Sequence, residues 1–525
     1  MTTTSTGPRA GFDTSFDPRT GLARGEIPHT SAAEVDEVVS RAAAAAGDLA
    51  ASDPERRLEW LYAVAAALIE HLDELAALGD RETALGPERL RGEIIKASES
   101  AKFYARTALE GSYLALSTET LPDGARLSRW NVPVGPVAVF GASNFPFGFG
   151  AFGHDVASAL SAGCPVVVKA HPAHPQLSQL LRRVVEDALR VAGAPAGVYG
   201  MVVGFDAGLQ LVDDPRIRAV AFTGSQAGGM ALVERGARRG VPVFAEMGTV
   251  NPVFVTRRAA RDRDRIAQGF VSSFTLGAGQ FCTKPGLLLA PSGHGFPAAI
   301  EAEASRVAPA PLLTAQIAAH FASGFERLAA AAADDAARAD VPASRGGDAT
   351  PVAEDTGSAY AAAAHVVRVR LEDLVPGSPL LEECFGPVAL VAEYEDPSAA
   401  FAALARLSPS LAASVFTADG EADADEDAPQ AIRSLLSRTG RVAVNAWPTG
   451  VATAWSQQHG GPWPATSRPD ATSVGGAALS RFVRPVSLQN ADPARFAAPF
   501  AATDPAPPRR VDGVLVTGAE LRDPL

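Results

Sequence analysis

Between Pro136 and Gly236 the chain repeats one unit four times: a short apolar run, a turn, then a segment of helical pattern. PVAVFG leads through ASNFPFGFGAFGHD into DVASALSAG, and PVVVKA leads into PQLSQLLRRVVEDALRVAG. GVYGMVVG precedes DAGLQLVDD, and AVAFTG precedes a helix from about Ser225 to Gly236. Runs this short and this apolar read as strands buried on both faces. Strands alternating with helices form βαβ units and a parallel sheet. Ligands of such sheets bind at the C-terminal strand ends.

The flanks extend this picture. Residues 31–110 read as amphipathic helices, with Thr30 and Ser31 as caps and Gly79 suited to a C-terminal end. ARLSRWNVPVGPVAVFGA reads as strands broken at Pro133 and Gly135. A second α/β region is expected from VPVFAEMG to about residue 455, with an undivided Ala-rich middle from Ala302 to Ala349. GRVAVNAW and RFVRPVSLQN read as strands, and the tail from Pro493 as loop until RRVDGVLV.

Charge and composition exclude several functions. A formal net charge of -13 and the lack of a basic stripe argue against nucleic acid as a partner. No apolar run reaches the roughly 20 residues of a membrane span. The N-terminal segment has neither a basic start nor an apolar stretch, so a cytoplasmic location is expected. The acidic run from Glu421 to Asp427 reads as a solvated loop. Three cysteines, Cys164, Cys282 and Cys384, form neither a disulfide framework nor a zinc site, so no metal is expected. Each is structural or catalytic.

Five sites carry candidate chemistry, each beside a plainer alternative. Gly224 and Ser225 lie between a strand and a helix, with Gly228 and Gly229 in its first turns. Such a helix start attracts phosphate, although it also occurs as an ordinary turn. Lys169 closes VVVK, either facing the ligand crevice or as a surface lysine. Cys282 in LGAGQFCTKP sits in a constrained turn that can present a thiol, while a free cysteine can equally be an apolar filler. Glu246 in FAEMGTVNP is expected to be partly desolvated, which raises its pKa and suits a general base; a capping carboxylate is the alternative. Asn144 in GASNFPFG can donate to an oxyanion or simply serve the turn.

Taken together and in order, GASNFPF, PVVVKAHP, FTGS, AEMGTVNP, GQFCTKP and LLEECFGPV resemble the aldehyde dehydrogenase superfamily over nearly the whole chain. The resemblance implies an α/β fold: a Rossmann-type parallel-sheet cofactor domain (1–115 and 136–245), an α/β catalytic domain (246–475), and a small β oligomerisation element with the C-terminal tail (116–135 and 476–525). It implies that Cys282 is the nucleophile, Glu246 the general base and Asn144 the oxyanion donor. Lys169 would meet the adenosine ribose, Gly224, Ser225 and Gly229 the diphosphate, and Glu383 and Phe385 the nicotinamide ribose and ring. Cys164 and Cys384 match no catalytic position and read as structural.

The chain departs from many members at Ser143, in EMGTV, and at Pro172, three residues after Lys169. No glutamate stands at Pro172 to repel a 2′-phosphate, so the cofactor is NAD or NADP. These departures are shared with the 2,5-dioxovalerate (α-ketoglutaric semialdehyde) dehydrogenase branch, in which the match to His459 lies near the active site. The implied substrate is 2,5-dioxopentanoate (α-ketoglutaric semialdehyde), oxidised to 2-oxoglutarate, with a long-chain aldehyde or another semialdehyde as alternatives, and Arg468 or Arg129 as candidate partners for a substrate carboxylate. A homodimer or homotetramer is implied. A CoA-acylating enzyme and a non-catalytic paralogue are the competing readings; Glu246 favours water over CoA, and the presence of both Cys282 and Glu246 favours catalysis.

Overall fold

The four repeated runs are consecutive strands of one parallel sheet: β1 (Val137–Phe140), β2 (Val166–Lys169), β3 (Tyr199–Val202) and β4 (Ala219–Gly224). The structure is a computed structural model describing residues 10–336, 359–418, 425–501 and 507–517. A fifth strand, β5 (Val243–Met247), pairs in parallel with β4. The spatial order is β3-β2-β1-β4-β5, the first five strands of the doubly wound order 3-2-1-4-5-6 that binds dinucleotides. This strand corrects the sequence reading, which opened the second region at VPVFAEMG. After the helix Gln226–Ala237 the chain reverses at Gly240 (φ +67°) and returns beside β4, with Thr223 opposite Glu246.

The N-terminal residues form helices Ala32–Ala51, Pro54–Glu70, Leu72–Thr83 and Pro87–Glu110. Ser31 caps the first in a reciprocal pair with Glu34, as its position suggested. Gly79, by contrast, does not end its helix. It lies inside Leu72–Thr83, where a β-carbon would meet Leu90 at 3.3 Å and Leu177 at 3.4 Å, and the left-handed cap is Ala84. Close approach of three elements, not chain reversal, accounts for that glycine.

A second, six-stranded parallel sheet contains β6 (Pro252–Val255), β7 (Leu287–Pro291), β8 (His365–Val369), β9 (Val388–Tyr394), β10 (Ser410–Phe416) and β11 (Thr439–Val444), in the order β8-β9-β7-β6-β10-β11. The Ala-rich middle contains the helix Ala315–Ala336, and its remainder from 337 lies outside the described residues. So do 421–424 of the acidic run. Of the rest, Glu426 is exposed but Asp425 and Asp427 are not solvated: they are buried, accepting from Thr256 Oγ1 (2.6 Å) and pairing with Arg257 (2.8 Å) respectively.

A third sheet joins Leu116–Thr120, Arg126–Pro133 and Val483–Gln489, with a hairpin of Arg509–Val511 and Val514–Val516 added at one side. Two short helical turns, Pro493–Arg495 and Ala498–Ala501, interrupt the stretch expected to be loop. The segment entering Val483–Gln489 is anchored to the first sheet's helices by Arg481 Nη1 on Asp155 Oδ1 at 2.7 Å, both buried. Next to it the Cys164 thiol donates to the Phe482 carbonyl (3.2 Å), and burial pushes that thiol up to about 12, a structural cysteine. Among the described residues no helix is long and apolar enough to cross a membrane.

Removing Arg481 leaves the Asp155 carboxylate buried without its counter-charge. Arg481→Leu should destabilise the protein by about 3–5 kcal/mol, read as a lower midpoint in urea denaturation. An unchanged midpoint would show that the pair does not anchor the C-terminal crossing.

Candidate active site

Glu246 is placed by strand pairing. It lies near the C-terminal end of β5, and the segment around Ala465 runs along the outer edge of that strand. Met247 N donates to Ala465 O (2.9 Å), Ala245 N to Ser467 Oγ (2.9 Å), and Ser467 N to Ala245 O (3.0 Å). The same segment carries His459. Its backbone is tied to a facing stretch by His459 N to Thr472 Oγ1 (2.8 Å) and Ser473 N to His459 O (2.9 Å).

Cys282 is placed by a loop with little regular structure. Gly277, Ala278 and Gly279 are all left-handed (φ +58°, +56° and +69°). Gly279 is pressed against the loop after Glu383, where a β-carbon would fall 2.2 Å from Gly386 O. The loop is fastened from beneath by buried Asn251, whose Nδ2 donates to Cys282 O (2.7 Å) and Lys284 O (3.0 Å). Asn251 Oδ1 accepts from Ala412 N and Thr249 Oγ1, which anchors it to β10. Buried Lys284 donates to Cys384 O (2.8 Å), Gly386 O (3.0 Å) and Val388 O (2.9 Å), which uses all three of its N–H groups.

These placements bring three reactive groups together. Ligating atoms of Glu246, Cys282 and His459 all lie within 4.8 Å of one another. His459 Nε2 is 3.0 Å from Glu246 Oε1 and 3.8 Å from Cys282 Sγ, and Glu246 Oε2 accepts from Ser473 Oγ at 2.7 Å. Burial alone would raise the Glu246 carboxyl, as the sequence reading expected. That expectation fails: the His459 ring and hydrogen bonds from His459, Ser473 and Cys282 outweigh burial and hold Glu246 below the usual range. The Cys282 thiol moves far upward instead, first through burial and then through the nearby negative charges of Glu246 and Glu383. Asn144 is buried against the same loop, with Nδ2 donating to Gln280 O (2.9 Å), two residues before the thiol.

The other candidates fall at the strand ends of the first sheet and in the facing loop. Lys169 ends β2 and has no hydrogen-bond or ion-pair partner among the described residues; burial lowers its pKa against an opposing pull from Asp13. Gly224 and Ser225 are exposed at the start of the helix, and Ser225 Oγ accepts from Gly228 N (3.2 Å). Gly229 is buried instead. A β-carbon there would lie 2.8 Å from Met247 Sδ, so it permits close packing of helix on β5. The Glu383 carboxylate covers Gly248, where a β-carbon would fall 1.9 Å from Oε2. Burial lifts Glu383 to about 7, with Lys284 pulling the other way. Phe385 follows in the same loop, half-buried. A free helix start, an unpartnered ammonium and a carboxylate opposite a glycine form a donor set that fits a dinucleotide.

The aldehyde dehydrogenase family model matches residues 11–462. The chain belongs to the aldehyde dehydrogenase family. It is 39% identical over 506 residues to alpha-ketoglutaric semialdehyde dehydrogenase 2 of Azospirillum brasilense, covering 92% of each chain. It is 34% identical over 474 residues to alpha-ketoglutaric semialdehyde dehydrogenase of Acinetobacter baylyi, covering 87% of this chain and 86% of that one. A solved NAD-dependent aldehyde dehydrogenase from Sinorhizobium meliloti superposes with a TM-score of 0.75 at 24% identity, covering 91% of this chain and 90% of that one.

Within this aldehyde dehydrogenase, two sequence candidates stand apart from the cluster. Arg468 pairs with Asp470 (2.7 Å) over the Phe244 ring, and Arg129 is exposed on the third sheet. Neither touches Cys282, Glu246 or His459. Three contributors escaped the sequence reading: Asn251, Lys284 and Ser473. Asn251 lies in the quoted motif AEMGTVNP and is left-handed (φ +52°), and Lys284 is one of very few lysines. Ser473 gave no local signal.

Two measurements follow from the electrostatics. Replacing Glu246 by Gln removes a negative charge beside the thiol, which favours the thiolate. The pH profile of Cys282 alkylation by iodoacetamide should therefore shift to lower pH in the Glu246→Gln protein. A shift to higher pH would contradict the charge assignment. Lys284→Met leaves three carbonyls without their donor and should cost about 1–3 kcal/mol for each that stays dry, measured by chemical denaturation.

Proposed function

We propose that the enzyme oxidises an aldehyde to a carboxylic acid with NAD or NADP through a covalent adduct on Cys282. Its substrate is 2,5-dioxopentanoate (α-ketoglutaric semialdehyde) and its product 2-oxoglutarate. The observation that carries the reaction is the closure of Cys282, His459 and Glu246 to within 4.8 Å. The names of the two curated relatives support the substrate.

Sulfur attacks the aldehyde carbonyl while its proton passes to the Glu246–His459 pair, whose Nε2 lies 3.8 Å from Sγ. The resulting oxyanion is met by the Asn144 amide and the Cys282 N–H. One Nδ2 hydrogen of Asn144 is held by Gln280 O, which orients the other. A bound nicotinamide supplies the hydride acceptor that turns this adduct into a thioester. Glu246 stays charged at neutral pH and draws a proton from the water that hydrolyses the thioester. Its orientation comes from Ser473 and His459.

Lys169 would hold the adenosine ribose, and Gly224 and Ser225 the diphosphate, with Gly229 letting the helix approach. Glu383 and Phe385 would hold the nicotinamide ribose and ring. Residues 1–115 and 136–245 would bind the cofactor, 246–475 would carry catalysis, and 116–135 with 476–525 would make the subunit contact. A homodimer or homotetramer is supported by the third sheet's outer strand, Val514–Val516, which leaves three consecutive apolar residues exposed.

An aldehyde panel with NAD and NADP tests the reading. 2,5-Dioxopentanoate should give the highest kcat/KM, above succinic semialdehyde and a long-chain aldehyde. Cys282→Ala should abolish turnover, and wild-type turnover there would sink the mechanism. Glu246→Ala should release a burst of reduced cofactor and then stall; full steady-state turnover would remove Glu246 as the base.

A further inference from the structure

Arg89 is a cation set beside the catalytic groups without a carboxylate of its own. It projects from the helix Pro87–Glu110 into the gap between the Asn144 turn and the Cys282 loop. Its guanidinium lies 5.2 Å from the ring of Phe145, the residue after Asn144, and 4.8 Å from the ring of Phe281, the residue before Cys282. The two rings meet edge to face at 5.0 Å. Nη2 donates to Asn144 O (2.7 Å), and Nη1 is buried with no hydrogen-bond partner. Gly277 leaves room for it: a β-carbon there would fall within 2.4 Å of Nη1.

Other arginines in this chain have found an acid. Arg481 pairs with Asp155, Arg257 with Asp427, and Arg468 with Asp470. Arg89 has no carboxylate within ion-pair distance among the described residues. Glu93, one helical turn away, turns its Oε1 to the backbone of Phe147 and Gly148. Burial accordingly works against the Arg89 charge, with only partial support from Glu93. A desolvated cation with spare donors next to a nucleophile suits a ligand anion better than a structural one.

The geometry points to Arg89 as the residue that selects an aldehyde whose far end is a carboxylate, by pairing with that carboxylate beside the Phe145 and Phe281 rings. This rests on the semialdehyde reading above and names the group that recognises it. Because Phe281 adjoins Cys282, the fit is to a short chain in which carboxylate and carbonyl are a few carbons apart. Arg441 is a second guanidinium near the thiol, coupled electrostatically to Cys282, but it donates to the Pro448 carbonyl.

The test is the ratio of kcat/KM for 2,5-dioxopentanoate to that for pentanal, an uncharged aldehyde of equal length. Wild type should prefer the dioxo acid; a preference for pentanal defeats the semialdehyde reading itself. In Arg89→Gln the ratio should fall roughly 10- to 100-fold, as for loss of a charge-assisted hydrogen bond, and Arg89→Lys should recover part of it. A proportional loss on both substrates would mean that Arg89 only positions Asn144, and overturns the proposal. So does a fall in the ratio confined to Arg441→Gln. Should Arg89→Gln fail to fold, a structure of the wild-type enzyme with glutarate decides: a carboxylate on the Arg89 guanidinium supports the seat, and one bound elsewhere rejects it.

Discussion

The reactive thiol depends on a buried hydrogen-bond cage, not on regular secondary structure. Three successive left-handed residues precede Cys282, and one of them, Ala278, has a β-carbon. A left-handed alanine costs about 1–2 kcal/mol. Against this stand the Asn251 bonds to Cys282 O and Lys284 O and the three Lys284 bonds to the Glu383 loop. At about 0.5–1.5 kcal/mol each, they outweigh the strain of the turn. They also make the turn and the Glu383 loop one unit, since the same lysine is covalently part of the first and hydrogen-bonded to the second.

That cage has an electrostatic consequence. It brings Glu383 into range of a thiol that already faces Glu246, so two acids oppose the thiolate. The resting thiol is therefore protonated and protected, and reaction needs a proton acceptor close at hand. In the proposed mechanism that acceptor is the Glu246–His459 pair, held 3.0 Å apart. The same pairing explains why Glu246 does not show the raised pKa expected of a buried base. Desolvation is real there, but the His459 ring at 3.0 Å and the Ser473 hydroxyl at 2.7 Å together outweigh it.

How much of this could be read from sequence follows from the range of each interaction. The βαβ repeats were legible because apolar period and turn residues are local, and all four strands lie where the runs predict. Cys282, Glu246, Asn144 and His459 were reachable through motifs whose order, not whose individual chemistry, was informative. Gly79 misled because a glycine required for close packing looks the same in sequence as one that ends a helix. Asp425 and Asp427 misled because an acidic run carries no mark of the arginine and threonine that bury it. Arg468 misled because nothing in a sequence says which arginine already has its acid, and Arg129 because nothing there says that its strand joins the third sheet. Arg89 and Ser473 were silent for the same reason: their partners are 55 and 227 residues away.

Those long separations place a strict demand on one short contact. Glu246 belongs to the first sheet and His459 to the segment that closes over it, and they meet only because residues 465–467 pair along the edge of β5. Side chains alternate across a strand, so a one-residue slip along β5 would change which face Glu246 presents to that segment. Ser467 opposes such a slip, because Oγ accepts from Ala245 N while donating to Val243 O at 2.6 Å, which fixes the pairing from both sides of Phe244. A serine with no contact to any reacting atom thus sets the register on which the distance between acid, imidazole and thiol depends.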